Sequence, residues 1–138
     1  MSYSNISATL TSEQIAQIET QLDSLTSTLS FLVNLSPQER LRLRKMGNKR
    51  NSFVQEVIDI VRTNRGSLPV DFNPQELERD YQLFQDLQRL LIKFRPLTEA
   101  LEDTAMAVGS EAMQAADETY GVLKAIRSNA NLGLYGKN

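Results

Sequence analysis

The chain contains no cysteine and no histidine, and those two gaps exclude more chemistry than any motif in it supplies. Without thiols there are no disulfides, thiolate nucleophiles, zinc fingers or iron–sulfur ligands. Without imidazole, the commonest general base, the commonest transition-metal ligand and the physiological-pH switch are all missing. No apolar run approaches the ~20 residues a membrane-spanning helix needs. The opening MSYSNISATLTSEQ has neither a basic nor an apolar signal region, so no secretory signal is expected there and the expected location is cytoplasmic. Phosphate loops, GxGxxG and GxSxG stretches do not occur. Ser110 has no histidine to activate it and no lysine close by in sequence, so catalysis is not expected.

What is present is a chain of 138 residues, 41% hydrophobic and 23% charged, long and apolar enough to fold as one domain over residues 1–138. Residues 1–10 and 130–138 read as loose tails. From Ser12 the apolar residues Ile15, Ile18, Leu22, Leu25, Leu29 and Leu32 alternate three and four apart, which puts them on one helical stripe with Thr11 or Ser12 as its cap. Ser36-Pro37-Gln38-Glu39 is a capping box with proline at the first helical position; it opens a short helix expected to end at Met46-Gly47, with the glycine as a left-handed C-cap. Asn51 or Ser52 enters a second long stripe through Phe53, Val54, Val57, Ile58 and Val61. SLPVDFNPQE is a loop, and Asn73-Pro74-Gln75-Glu76 repeats the proline cap before Leu77, Tyr81, Phe84, Leu87, Leu91 and Phe94.

The apolar phase then continues past Pro96 through Leu97, Leu101, Ala105, Val108, Ala112, Ala116, Tyr120 and Leu123. Proline disfavours helical geometry at Arg95 and removes the amide that would bond Ile92, so a turn at 95–97 is expected. The fold class that follows is all-α: an up-down bundle of about four long helices with one short helical insert.

LVNLSPQER, KMGNKR, SFVQEV, VDFNPQELERDYQLF and ALEDTAMAVGSEAMQAA together resemble a family of small, uncharacterised all-helical bacterial proteins. Its members carry similar L-[ST]-P-x-E-R, K-M-G-x-K and E-D-T…G-S-E-A stretches. The resemblance spans roughly residues 31–127 and departs at Asn48, where the family often has aspartate. It implies a helical domain and transfers no functional residue.

Three groups of residues are candidates for function. The first is basic. Residues 36–50 hold six cations (Arg40, Arg42, Arg44, Lys45, Lys49, Arg50) and one acid, a net of +5 that leaves −7 on the rest of a chain of total charge −2. Such a cluster suits an acidic protein surface or a phosphate-bearing ligand, and equally suits a solvated helix end. No aromatic is interleaved with it, which argues against single-stranded nucleic acid. The second group is acidic: Glu76 and Asp80, then Glu99, Glu102, Asp103, Glu111, Asp117 and Glu118. Di-metal bundle sites need histidine as well as glutamate, so these read as solvated faces, with an oxygen-only cation site as the weaker reading and no cofactor implied. The third is the small-residue stretch AMAVGSEAMQAA, with Ala105, Val108, Gly109, Ala112 and Met113 on its face. It suits either a close helix crossing in the core or an association surface.

The functional expectation is a non-catalytic module that binds another protein or itself. An anion-binding module working at residues 40–50, on anionic lipid or nucleic acid, is the alternative. A carboxylate- and metal-dependent enzyme is the weakest reading.

Overall fold

The computed structural model of the chain describes residues 4–136, and every element in it is helical. In order these are α1 (Ser12–Thr28), α2 (Pro37–Arg42), α3 (Asn48–Thr63), a 3-10 turn at Arg65–Ser67, and α4 (Pro74–Gly136). Packing divides the chain into two units. One is Leu10–Leu91; the other joins Met1–Thr9 to Ile92–Asn138.

The helix starts follow from side chains that replace missing backbone partners. Gln14 N–H donates to Thr11 Oγ1 at 3.0 Å, and Gln14 Oε1 accepts from Thr11 N–H at 2.9 Å, a complete capping box. Ser36 Oγ accepts from Glu39 N–H at 3.2 Å, with Pro37 where no donor is needed. Asn73 Oδ1 takes both Gln75 and Glu76 N–H at 3.1 and 3.3 Å. Helix α1 stops at Thr28 after a hydroxyl-rich turn in which Thr26 and Thr28 donate back to the carbonyls of Leu22 and Ser24. Such local bonds compete with helix continuation.

Within Leu10–Leu91, α3 packs antiparallel against the first turns of α4. Asn51 meets Gln85 at 2.7 Å, Gln55 meets Tyr81 at 3.1 Å, and Arg62 meets Glu78 at 2.9 Å, so rising numbers on one helix face falling numbers on the other. Between these polar pairs lie Ile58 and Val61, the buried hydrophobic residues among those described, at 4% and 6% exposure. Val54, Val57, Leu77, Tyr81, Phe84 and Leu87 are half-buried around them.

Four expectations are corrected. Gly47 is not a left-handed C-cap. Helix α2 ends earlier, at Arg42, and Gly47 sits in extended backbone (φ −92°, ψ −173°) as the N-cap of α3, which starts at Asn48 rather than at Asn51 or Ser52. No turn forms at 95–97, because α4 runs through Pro96. One proline withdraws one donor, whereas a turn would require ending one helix and nucleating another, and 94–100 holds no glycine or asparagine to close it. The loose tail expected from residue 130 is likewise replaced by helix, since α4 continues to Gly136; residues 137 and 138 of the expected tail lie outside the described residues. With the last two predicted helices merged, the described residues do not form an up-down bundle of four long helices.

Two outcomes test this account. Ile58→Ala should lower the unfolding free energy by about 2–4 kcal/mol in urea titration, the range for truncating a buried Ile; a loss under about 0.5 kcal/mol would mean that α3 is not held by this contact. Pro96→Ala should raise helicity and stability by up to about 3 kcal/mol, because it restores a helix hydrogen bond and relieves the ring clash. A fall in helicity would show that the proline closes a turn in solution.

Candidate functional site

The basic segment is held in place by its own backbone. After α2 the chain runs extended from Leu43, and Lys45 Nζ donates back to the carbonyls of Arg40 and Leu43, the latter at 3.0 Å. Arg50 Nη1 then reaches from α3 to the carbonyl of Lys45 at 3.0 Å. Two of the six cations thus act as struts that tie the connection together. Arg40, Arg42, Arg44 and Lys49 make no side-chain hydrogen bond or ion pair among the described residues.

Leu41, Leu43, Arg44, Lys45, Gly47, Lys49 and Arg50 line an open concavity of about 680 Å³. The N-terminus of α3 opens at its edge, with no side-chain cap and no acid in its first turn. Four of the six predicted basic residues therefore share one hollow, while Arg40 and Arg42 stand on α2 outside its lining. Of its apolar part, Leu43 is expected from the sequence only as a side chain docking the short helix, and Leu41 is not singled out because the Arg-Leu alternation there matches neither a helical stripe nor a partnered strand.

The acidic groups do not converge. No three of them come together in a geometry fit for a cation among the described residues. Glu76 pairs with Arg79 at 3.1 Å, and Glu118 accepts from Gln114 at 3.4 Å along the helix. Glu78, absent from the predicted acidic group, hydrogen-bonds Arg62; that bond, and then the carboxylate charge, raises the Arg62 pKa above its ordinary value.

The small-residue stretch lies mid-way along α4, exposed except for Ala107 and Glu111. A side chain at Gly109 would meet nothing within 4 Å, so the close core crossing that could explain this glycine is not made there. The exposed apolar surface also extends well beyond the predicted face. Leu97, Leu101, Met106, Val108, Met113, Tyr120, Val122, Leu123 and Ile126 are all between 43% and 74% exposed. Among the described residues, the hydrogen bond that reaches this region from outside α4 is from Ile6 N–H to Glu111 Oε1, at 3.1 Å.

No protein family matches the chain, nor does any curated protein or solved structure. Among the described residues no helix is long and apolar enough to cross a membrane.

Proposed function

We propose that the chain is a non-catalytic protein-interaction module whose docking surface is the apolar side of α4 between Leu97 and Ile126. The observation that carries this reading is the set of large apolar side chains exposed on one side of that helix, Leu97, Leu101, Val108, Val122, Leu123 and Ile126, bridged by the small Ala112, Ala115 and Ala116. Each square ångström of such surface forgoes about 25 cal/mol by staying in water, and contiguous apolar patches beyond a few hundred square ångströms mark interaction sites. A helix this long draws most of its stability from a packed face rather than from propensity. The bundle architecture suggested by the sequence is then completed by helices the partner brings.

Capture from native lysate on the immobilised chain tests the reading. Wild type should retain a discrete partner, or further copies of itself, through about 1 M salt, since apolar contacts are not screened as exposed charges are. Leu101→Glu with Val108→Glu should lose at least tenfold of that retention. Equal retention by both forms, with equal helicity in circular dichroism, removes α4 as the docking surface.

A second reading rests on the basic concavity. Arg44 and Lys49 lack an internal partner beside uncapped α3 amides, a combination suited to a phosphate-bearing ligand. Binding of a fluorescent oligonucleotide or of anionic vesicles should then fall steeply with salt and vanish in Arg44→Glu with Lys49→Glu. Absence of binding to either probe at low salt overturns it.

A further inference from the structure

We infer that the occupant of the α4 surface is a second copy of this chain, joined along a coiled-coil seam from Phe94 to Ile126. The inference rests on the interaction reading above and commits it to one partner.

The seam is a matter of period. Phe94, Thr98, Leu101, Ala105, Val108, Ala112, Ala115, Thr119, Val122 and Ile126 stand alternately four and three residues apart without a break. A mean spacing of 3.5 differs from the 3.6 of a straight helix, and it keeps a stripe facing a partner only when two helices wind round each other. Every charged residue between these limits avoids the stripe. Pro96, Asp103, Ser110, Asp117 and Lys124 recur seven apart on the face turned away from it.

Beyond half-buried Phe94, the structure leaves that stripe open from Thr98 to Ile126. Leu101, Val108, Val122 and Ile126 are all at least 43% exposed. The N-terminal segment of the same unit meets α4 at Glu111, which flanks the stripe on one side next to Ala112, while half-buried Ala107 lies farther round the helix and the stripe residues beside Glu111, Val108 and Ala112, stay exposed. Gly109 and Ala116 flank the stripe with minimal side chains, which lets a second backbone approach closely.

Length selects the partner. From Phe94 to Ile126 the seam is roughly 50 Å long at 1.5 Å per residue. Helix α1 has 17 residues and α3 has 16, so neither exceeds about 26 Å, and the apolar face of α3 is already packed on the start of α4. The α4 of another copy matches in length and in period, and a two-fold pairing makes the stripe complementary to itself. Helices 10–12 Å across and roughly 50 Å long cover on the order of 500–600 Å² each, so the pair passes the ~1,000 Å² expected of a specific interface. In a parallel pairing Glu111 and Glu118 fall beside Ala116 and Leu123 of the other copy, so no like charges meet there.

Sedimentation velocity on the full chain at high-micromolar concentration is the test. The expected mass is twice 15.6 kDa, unchanged by salt, with Leu101→Glu plus Val108→Glu reverting to monomer and Ser110→Glu on the opposite face leaving the dimer intact. Hydrogen exchange should show protection lost over 94–126 and retained over 48–63 in the double variant. Should that variant lose protection throughout, Thr98→Ile with Thr119→Ile decides. Removing the two polar seam positions should tighten the dimer at least tenfold, and unchanged or weaker association overturns the seam. A wild-type monomer also overturns it. If that monomer still captures another protein through Leu101 and Val108, only the second copy is excluded; if it captures nothing, the interaction reading falls with it. A dimer indifferent to the double variant places the contact elsewhere and rejects this proposal.

Discussion

Proline inside a helix withdraws one donor and presses its ring on the carbonyl four residues back. In α4 that penalty falls at Pro96, between LLIKFR and LTEALED, two runs of good helix formers with no residue suited to a reversal. Breaking the helix would leave carbonyls of the first piece and amides of the second without partners, and would add a new nucleation step. Keeping it whole loses one bond. Much of the chain's character depends on this balance, because a helix that does not turn back after Pro96 brings no antiparallel neighbour to cover its own second half.

The consequences show in where burial occurs. Before Leu91, α3 is antiparallel to α4, and Ile58 and Val61 are withdrawn from water between flanking polar pairs. After Ile92 the same helix carries an equally apolar pattern, and among the described residues of its own unit only the N-terminal segment is hydrogen-bonded to it, at Glu111. The two halves differ little in sequence character. They differ in whether a partner helix exists in their own unit, which no local pattern specifies.

That difference explains what was legible in the sequence. Caps were, because Thr11, Ser36 and Asn73 act on amides two or three residues away and need no tertiary information. Helical stripes were too, since period is local. Gly47 was misread because glycine serves either helix end; only the early stop of α2 at Arg42, where Leu43 turns extended, makes it the start of α3. Pro96 was misread because compactness was weighed above the cost of renucleation. Of the candidate surfaces, the sequence reading named the basic residues and the small-residue face from composition alone. Leu41 and the reach of the apolar arc to Ile126 were not singled out, although the unbroken four–three spacing from Phe94 carries the second of these.

The two candidate surfaces are not equivalent in what they demand. Arg40, Arg42, Arg44 and Lys49 face water, and a solvated cation is already at low free energy; leaving it alone costs nothing. Leucine, valine and isoleucine along the α4 stripe have no such alternative, because exposed apolar surface has no favourable state in water. A surface of the first kind is compatible with function and equally compatible with none. One of the second kind, continued over many turns, weakens the helix that bears it unless something covers it. Gly109 sharpens the contrast, since glycine in a helix interior costs about 1 kcal/mol relative to alanine and nothing among the described residues lies near enough to need the space. In the proposed pairing, a closely approaching second helix supplies both the cover and the reason for the gap.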